Sequence, residues 1–132
     1  MMDEEYKKAI VKYRLEKSDE LLKEVRLLID NGFANASVSR MYYACYHVIS
    51  ALLFSHNIET KTHKGLRQQF GLNFVRNNLI DINIARIFTI IADKREESDY
   101  DDFVRFSLEK VNEYFVDVKE FVEAVRKLVR VD

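Results

Sequence analysis

Between residues 104 and 129 an apolar side chain recurs after alternating steps of four and three: Val104, Leu108, Val111, Phe115, Val118, Val122, Val125 and Val129. That alternation keeps one stripe on a single side of an α-helix and is the spacing of a left-handed bundle seam, so the segment needs other helices to cover it. Valine is a mediocre helix former, yet over this many turns periodicity outweighs propensity. The rest of the chain agrees: it contains no proline and only three glycines, and strands have almost no support. The expected fold class is all-α, an up-down bundle of four long helices plus a short one, in a single domain spanning residues 1–132.

Helical spacing of Tyr6, Ile10, Tyr13, Leu21, Val25 and Leu28 predicts a first helix from about Asp3 to Asn31, with Gly32 where a left-handed cap belongs. A second helix starts near Asn35 or Ser37 and runs to about His56. Thr62 is placed to cap a third, shorter one carrying Leu66, Phe70, Phe74 and Val75. Asp81 caps a fourth, with Ile84, Ile87, Phe88 and Ile91 inward, ending within "DKREESDYDD". There Ser98 or Asp99 is a candidate N-cap for the last helix, and Asp99, Asp101 and Asp102 read as its solvated first turn.

Composition removes several function classes. No apolar run approaches the ~20 residues of a membrane span, and "MMDEEYKKAIVKY" lacks the apolar core of a secretory signal, so a cytoplasmic location without membrane contact is expected. The single Cys45 and three scattered histidines make no zinc spacing, and no cofactor or metal is expected. A net charge of −1 provides no global basic field, so any nucleic-acid contact has to be local.

The segment "SRMYYACYH", residues 39–47, puts three tyrosines, an arginine and a histidine into a helix that a plain core would fill with leucine and alanine. At about 100° per residue, Val38, Met41, Tyr42, Cys45, Val48, Ile49, Leu52 and Leu53 form the apolar face. Arg40, Tyr43, His47 and Ser50 fall on a separate stripe that Phe54 continues. That stripe is either half-buried cover for the helix or part of a site or dimer contact. Arg95, Asp99 and Tyr100 form a second polar group. His63 and Lys64 of "THKG" stand at a helix N-terminus, where backbone N–H groups favour an anion.

Taken together, "ASVSRMYYACYHVISALL", "THKGLRQQFGLNFV" and "IADKREESDYDD" resemble, in order and spacing, the HEPN superfamily of small helical domains, in its short archaeal and bacterial branch. The resemblance covers nearly the whole chain. It implies a homodimeric helical bundle that acts either as a metal-independent endoribonuclease, often a toxin, or as the partner of a small nucleotidyltransferase. Catalytic members carry an arginine followed, after four to six residues, by a histidine. Arg95 matches the arginine, but Tyr100, Asp101 and Asp102 stand where the histidine belongs, and no histidine follows His63. Tyrosine titrates near ~10 and is a poor base at neutral pH.

Three expectations follow. In the first, a non-catalytic module contacts RNA or a nucleotide through Arg40, Tyr43, His63, Lys64 and Asp99 and pairs with a nucleotidyltransferase in a toxin–antitoxin or defence system. In the second, the protein is a ribonuclease using Arg95 and Tyr100, with His47 or His63 replacing the missing histidine and His47 facing Arg95 across the bundle. In the third, a homodimer without ligand is held by Tyr43 and Tyr46. The position of Tyr100 also makes it a candidate for modification by a nucleotidyltransferase partner.

Overall fold

A computed structural model describes residues 3–130. Four long helices and one short one follow in order: α1 (Glu4–Asp30), α2 (Ala34–Ser55), α3 (His63–Phe70), α4 (Ile82–Tyr100) and α5 (Leu108–Arg126). A π-helical turn, Gly71–Val75, extends α3. α1 lies along α2, and α2 also packs against α3, α4 and α5. Among the described residues no helix is long and apolar enough to cross a membrane.

The helix ends follow the capping residues. Asp3 accepts the amides of Glu5 and Tyr6, Asp81 those of Asn83 and Ile84, Thr62 that of Gly65 and Ser107 that of Lys110, each satisfying donors that have no partner inside the helix. Gly32 has φ +83°. The amide of Phe33 reaches Leu28 O at 2.8 Å and that of Gly32 reaches Ile29 O at 3.0 Å, which closes α1 with a Schellman motif. Asn57, at φ 63°, ends α2 in the same way, with Ile58 N–H to Leu53 O at 2.9 Å.

α2 is the central element, and every residue expected on its apolar face is buried. α1 packs along it with Val11, Ser18, Leu21, Val25 and Ile29 buried, and the Ser18 hydroxyl donates to Ala44 O at 2.9 Å. α5 contributes Val111, Phe115, Val118, Val122 and Val125, all at most 3% exposed. Phe121 is fully buried, its ring 6.0 Å from both Phe70 and Phe88.

The polar run before α5 differs from expectation. Ser98 and Asp99 do not cap α5; they belong to α4, which continues to Tyr100, and Ser107 is the cap. Val104 precedes α5 and Leu108 is 44% exposed, so the buried seam starts at Val111. Asp99, Asp101 and Asp102 therefore lie at the C-terminal end of α4 rather than in a first turn, where the helix dipole disfavours negative charge. Arg95, one turn back, lies with Nε 3.3 Å from Asp99 Oδ2 and offsets that charge. The connector to α5 is held by Asn35 of α2, whose side chain donates to Val104 O at 2.9 Å and accepts from the Phe106 amide at 3.0 Å.

Replacing Phe121 with alanine should lower stability by about 3–5 kcal/mol, because the cavity opens among rings that cannot collapse. Leu108→Ala should change it by less than ~0.5 kcal/mol. Urea unfolding midpoints of the two variants check the contrast.

Candidate functional site

Where α2, α3 and α4 meet, aromatic rings and arginines gather around a cavity of about 300 Å³. From α2 come Tyr42, Tyr43 and Tyr46, whose spacing of one, three and four residues puts them on one shoulder of the helix. Tyr42 and Tyr43 meet edge to face at 5.1 Å. α3 supplies His63 from its first position, directly after the Thr62 cap. The imidazole stacks on Tyr46 at 4.5 Å, and its Nδ1 is 2.7 Å from the Tyr42 hydroxyl. Arg67 stands one turn further along α3, with its guanidinium 5.6 Å from the Phe88 ring centroid.

α4 supplies Arg95. Its guanidinium carbon lies 4.7 Å from the Tyr42 ring centroid and 5.1 Å from that of Tyr43, a cation–π arrangement that holds the group flat against α2. Nη2–H donates to the Tyr43 hydroxyl at 3.2 Å. Nε is buried without a hydrogen-bond acceptor among the described residues, so its approach to Asp99 is a charge contact and not an aligned hydrogen bond. Ala92 and Glu96 complete the rim.

The electrostatics are those of a cation-rich pocket. Burial raises the Tyr42 hydroxyl above its ordinary value of 10, and the nearby Arg95 and Arg67 offset only part of that rise, so the phenol remains protonated. Partial burial against the rings, reinforced by Arg95 and then Arg67, holds His63 below its ordinary 6.5. Near neutral pH the imidazole is therefore uncharged between two guanidinium groups. An uncharged ring has one lone pair to donate, and Tyr42 decides which nitrogen carries it. Where Nδ1–H donates to the tyrosine oxygen, Nε2 is the free base.

Three of the residues expected from sequence converge here: Arg95, Tyr43 and His63, with Asp99 attached through Arg95. The others lie elsewhere. Arg40 pairs with Glu24 of α1 at 3.3 Å. Lys64 is exposed beside the helix start, and Tyr100, at 83% exposure, is in solvent. Ser50 of the expected polar stripe is buried. His47 is turned toward α1, where Arg14 Nη1–H donates to its Nδ1 at 2.9 Å. It therefore does not face Arg95 as expected; a step of four residues from Tyr43 rotates the side chain about 40° toward the packed neighbour α1. Since arginine is only a donor, the His47 proton sits on Nε2. Burial, then Arg14 and Lys17, push its pKa down to about 4.

Sequence reasoning assigned Tyr42 to the core alone and left out Arg67 and Glu96. Burial of the Tyr42 ring justified the core assignment, but its hydroxyl reaches the surface pocket. The available signal was His63 and Arg67, four residues apart on one helical face. Among the described residues no three His, Cys, Asp or Glu side chains converge as a metal-binding set.

Fold and site together define a small helical-bundle protein with a basic, tyrosine-walled pocket. The HEPN domain family matches residues 11–128, and the chain belongs to that family. It is similar to a UPF0332 protein of Thermotoga maritima, 27% identical over 123 residues that cover 93% of each chain. Two proteins of Methanocaldococcus jannaschii are also similar. "Putative toxin MJ0142" is 28% identical over 83% of this chain and 74% of its own, and "Putative toxin MJ0605" is 29% identical over 88% and 86%. Both the all-helical bundle and the family resemblance expected from sequence hold.

The His47 geometry carries a pH signature. Its folded pKa of about 4 lies below the ordinary 6.5, so its contribution to stability is present above about 6.5 and is lost as pH falls toward and through about 4. Urea midpoints measured across that range should fall with pH in the wild type. In His47→Gln the fall should be shallower.

Proposed function

We propose that this HEPN domain protein is a toxin-type, metal-independent endoribonuclease in which His63 supplies the acid–base group missing after Arg95. The observation that carries the reading is the 2.7 Å contact between Tyr42 Oη and His63 Nδ1, beside Arg95 and Arg67. Cleaving RNA without a metal needs a base for the ribose 2′-hydroxyl and fixed positive charge for the pentacoordinate phosphorane. The names of the two archaeal relatives support the toxin assignment.

The derived step is an internal transfer. His63 Nε2 takes the 2′-hydroxyl proton, the 2′-oxygen attacks phosphorus, and the bond from phosphorus to the 5′-oxygen breaks. The leaving oxygen takes a proton from water, and the products are a 2′,3′-cyclic phosphate and a 5′-hydroxyl end. Arg95 and Arg67 balance the charge on the phosphoryl oxygens, and Tyr43 keeps Arg95 in place. Tyr42 accepts from Nδ1–H in the tautomer this step uses, which leaves Nε2 free as the base.

A second reading has its own support. Tyr100 and Phe103, directly after the arginine turn, are 83% and 93% exposed, which suits a face covered by another chain. In this reading the protein is a non-catalytic module on RNA or a nucleotide, homodimeric or paired with a small nucleotidyltransferase that has Tyr100 within reach.

Purified protein incubated with mixed RNA in EDTA should cleave it, and Arg95→Ala and His63→Ala should each slow cleavage by roughly 10²–10⁴-fold. Because the His63 pKa is lowered, the rate should fall with acid only below about 6.5, and Tyr42→Phe should move that limb. RNA left intact by the wild type would sink the catalytic reading and leave the module.

A further inference from the structure

Three surface depressions adjoin at Arg67: two lie between α3 or its π turn and α4, and one lies on α3 and the π turn alone. The first is the pocket of Tyr42, Tyr43, His63 and Arg95; the second lies between Phe70, Val75 and Ile82 with Arg86; the third lies over Gly71 and Leu72. Arg67 lines all three, and Arg76 lines the second and third. The groove therefore carries four arginines, Arg95, Arg67, Arg76 and Arg86, against Glu96 in its lining and the Asp99 that pairs with Arg95. Arg67, Arg76 and Arg86 pair with no carboxylate among the described residues, while Arg95 pairs with Asp99.

The π turn produces this alignment. Arg67 and Arg76 are nine residues apart, which in a straight α-helix places them about half a turn out of phase. The wider turn, closed by Arg76 N–H to Gly71 O at 2.9 Å, breaks that phase, and both residues border the same depressions. Along α4 the lining from Ile82 to Glu96 spans about 21 Å at ~1.5 Å per residue, longer than a single phosphate requires.

We infer that this arginine groove holds the single-stranded RNA that flanks the scissile phosphate, with Arg76 and Arg86 binding backbone phosphates beyond the pocket. The inference rests on the ribonuclease reading for which phosphate is cleaved, and adds where the rest of the strand lies. Charge complementarity selects a polyanion. The recessed pocket at one end, about 300 Å³, admits an unstacked nucleotide but not a duplex. Guanidinium planes also stack on unpaired bases, so the same side chains serve phosphate and base without reading sequence. The exposed Leu72 and Ile82 give those bases apolar surface.

The test is fluorescence anisotropy with a labelled single-stranded oligoribonucleotide of about eight residues and a labelled dinucleotide, across a salt series. It compares wild type, Arg76→Ala/Arg86→Ala and the charge-reversed Arg76→Glu/Arg86→Glu; both positions are exposed, so the fold is preserved. The alanine pair should bind the longer strand roughly tenfold more weakly at 0.1 M salt, with the slope of log K against log salt reduced by about 1.4, as expected for two phosphate contacts to a single strand. Charge reversal should weaken it further, and dinucleotide binding should not change. An unchanged slope, an equal loss for both ligands, or tighter binding of duplex overturns the inference, and unchanged RNA binding with lost capture of an acidic peptide reassigns the groove to protein. Arg95-dependent cleavage that survives the double variant on the longer strand leaves the ribonuclease reading standing without the groove. Groove-dependent binding with no cleavage does the reverse.

Discussion

Burial of α2 on nearly every side is the constraint on which the rest of this structure depends. A helix packed by α1, α3, α4 and α5 has little free surface, and its few polar side chains must find partners at the seams between neighbours. Ser18 reaching Ala44 O shows how close α1 comes. His47 is satisfied by Arg14, Arg40 by Glu24 and Tyr43 by Arg95, each from a different point on the surrounding helices. The three tyrosines of "SRMYYACYH" follow from the same constraint. Their rings supply the apolar bulk that a buried helix needs, and Tyr42 and Tyr43 line a cavity at the seam with α3 and α4.

At that seam, the arrangement keeps a histidine neutral without isolating it. Two arginines nearby and partial burial act in the same direction on His63, while the Tyr42 hydroxyl orients the ring. Arg95 itself is fixed by two rings, a phenol oxygen and the Asp99 carboxylate. A guanidinium held flat by cation–π contact loses less freedom on meeting an anion than one extended into water. The start of α3 is tied to α2 by the His63 contacts with Tyr42 and Tyr46.

Much of the scaffold was legible from particular residues. Gly32, Thr62 and Asp81 marked helix ends because their local chemistry is decided within one turn. Val111 to Val125 marked the buried face of α5 because period alone determines it. The run "REESDYDDF" was misread, since Ser and Asp cap helices but also tolerate a helix interior, and only the Arg95–Asp99 pair and the Asn35 clamp decide that α4 continues and α5 starts later. The π turn gave no signal, because "GLNFV" contains no residue that demands it.

The amino-acid sequence by itself determined an all-helical bundle, the membership of that bundle in the HEPN family, and the arginine that anchors the pocket. These depend on period, caps and short motifs, which are properties of neighbours along the chain. Only the tertiary structure decided which histidine stands beside Arg95. His47 and His63 are equally available in sequence, but packing against α1 commits His47 to Arg14, while the loop before Thr62 carries His63 across to α4. Which side chains share a cavity depends on the rotation of each helix about its axis, and that rotation is set by the fit of the whole core.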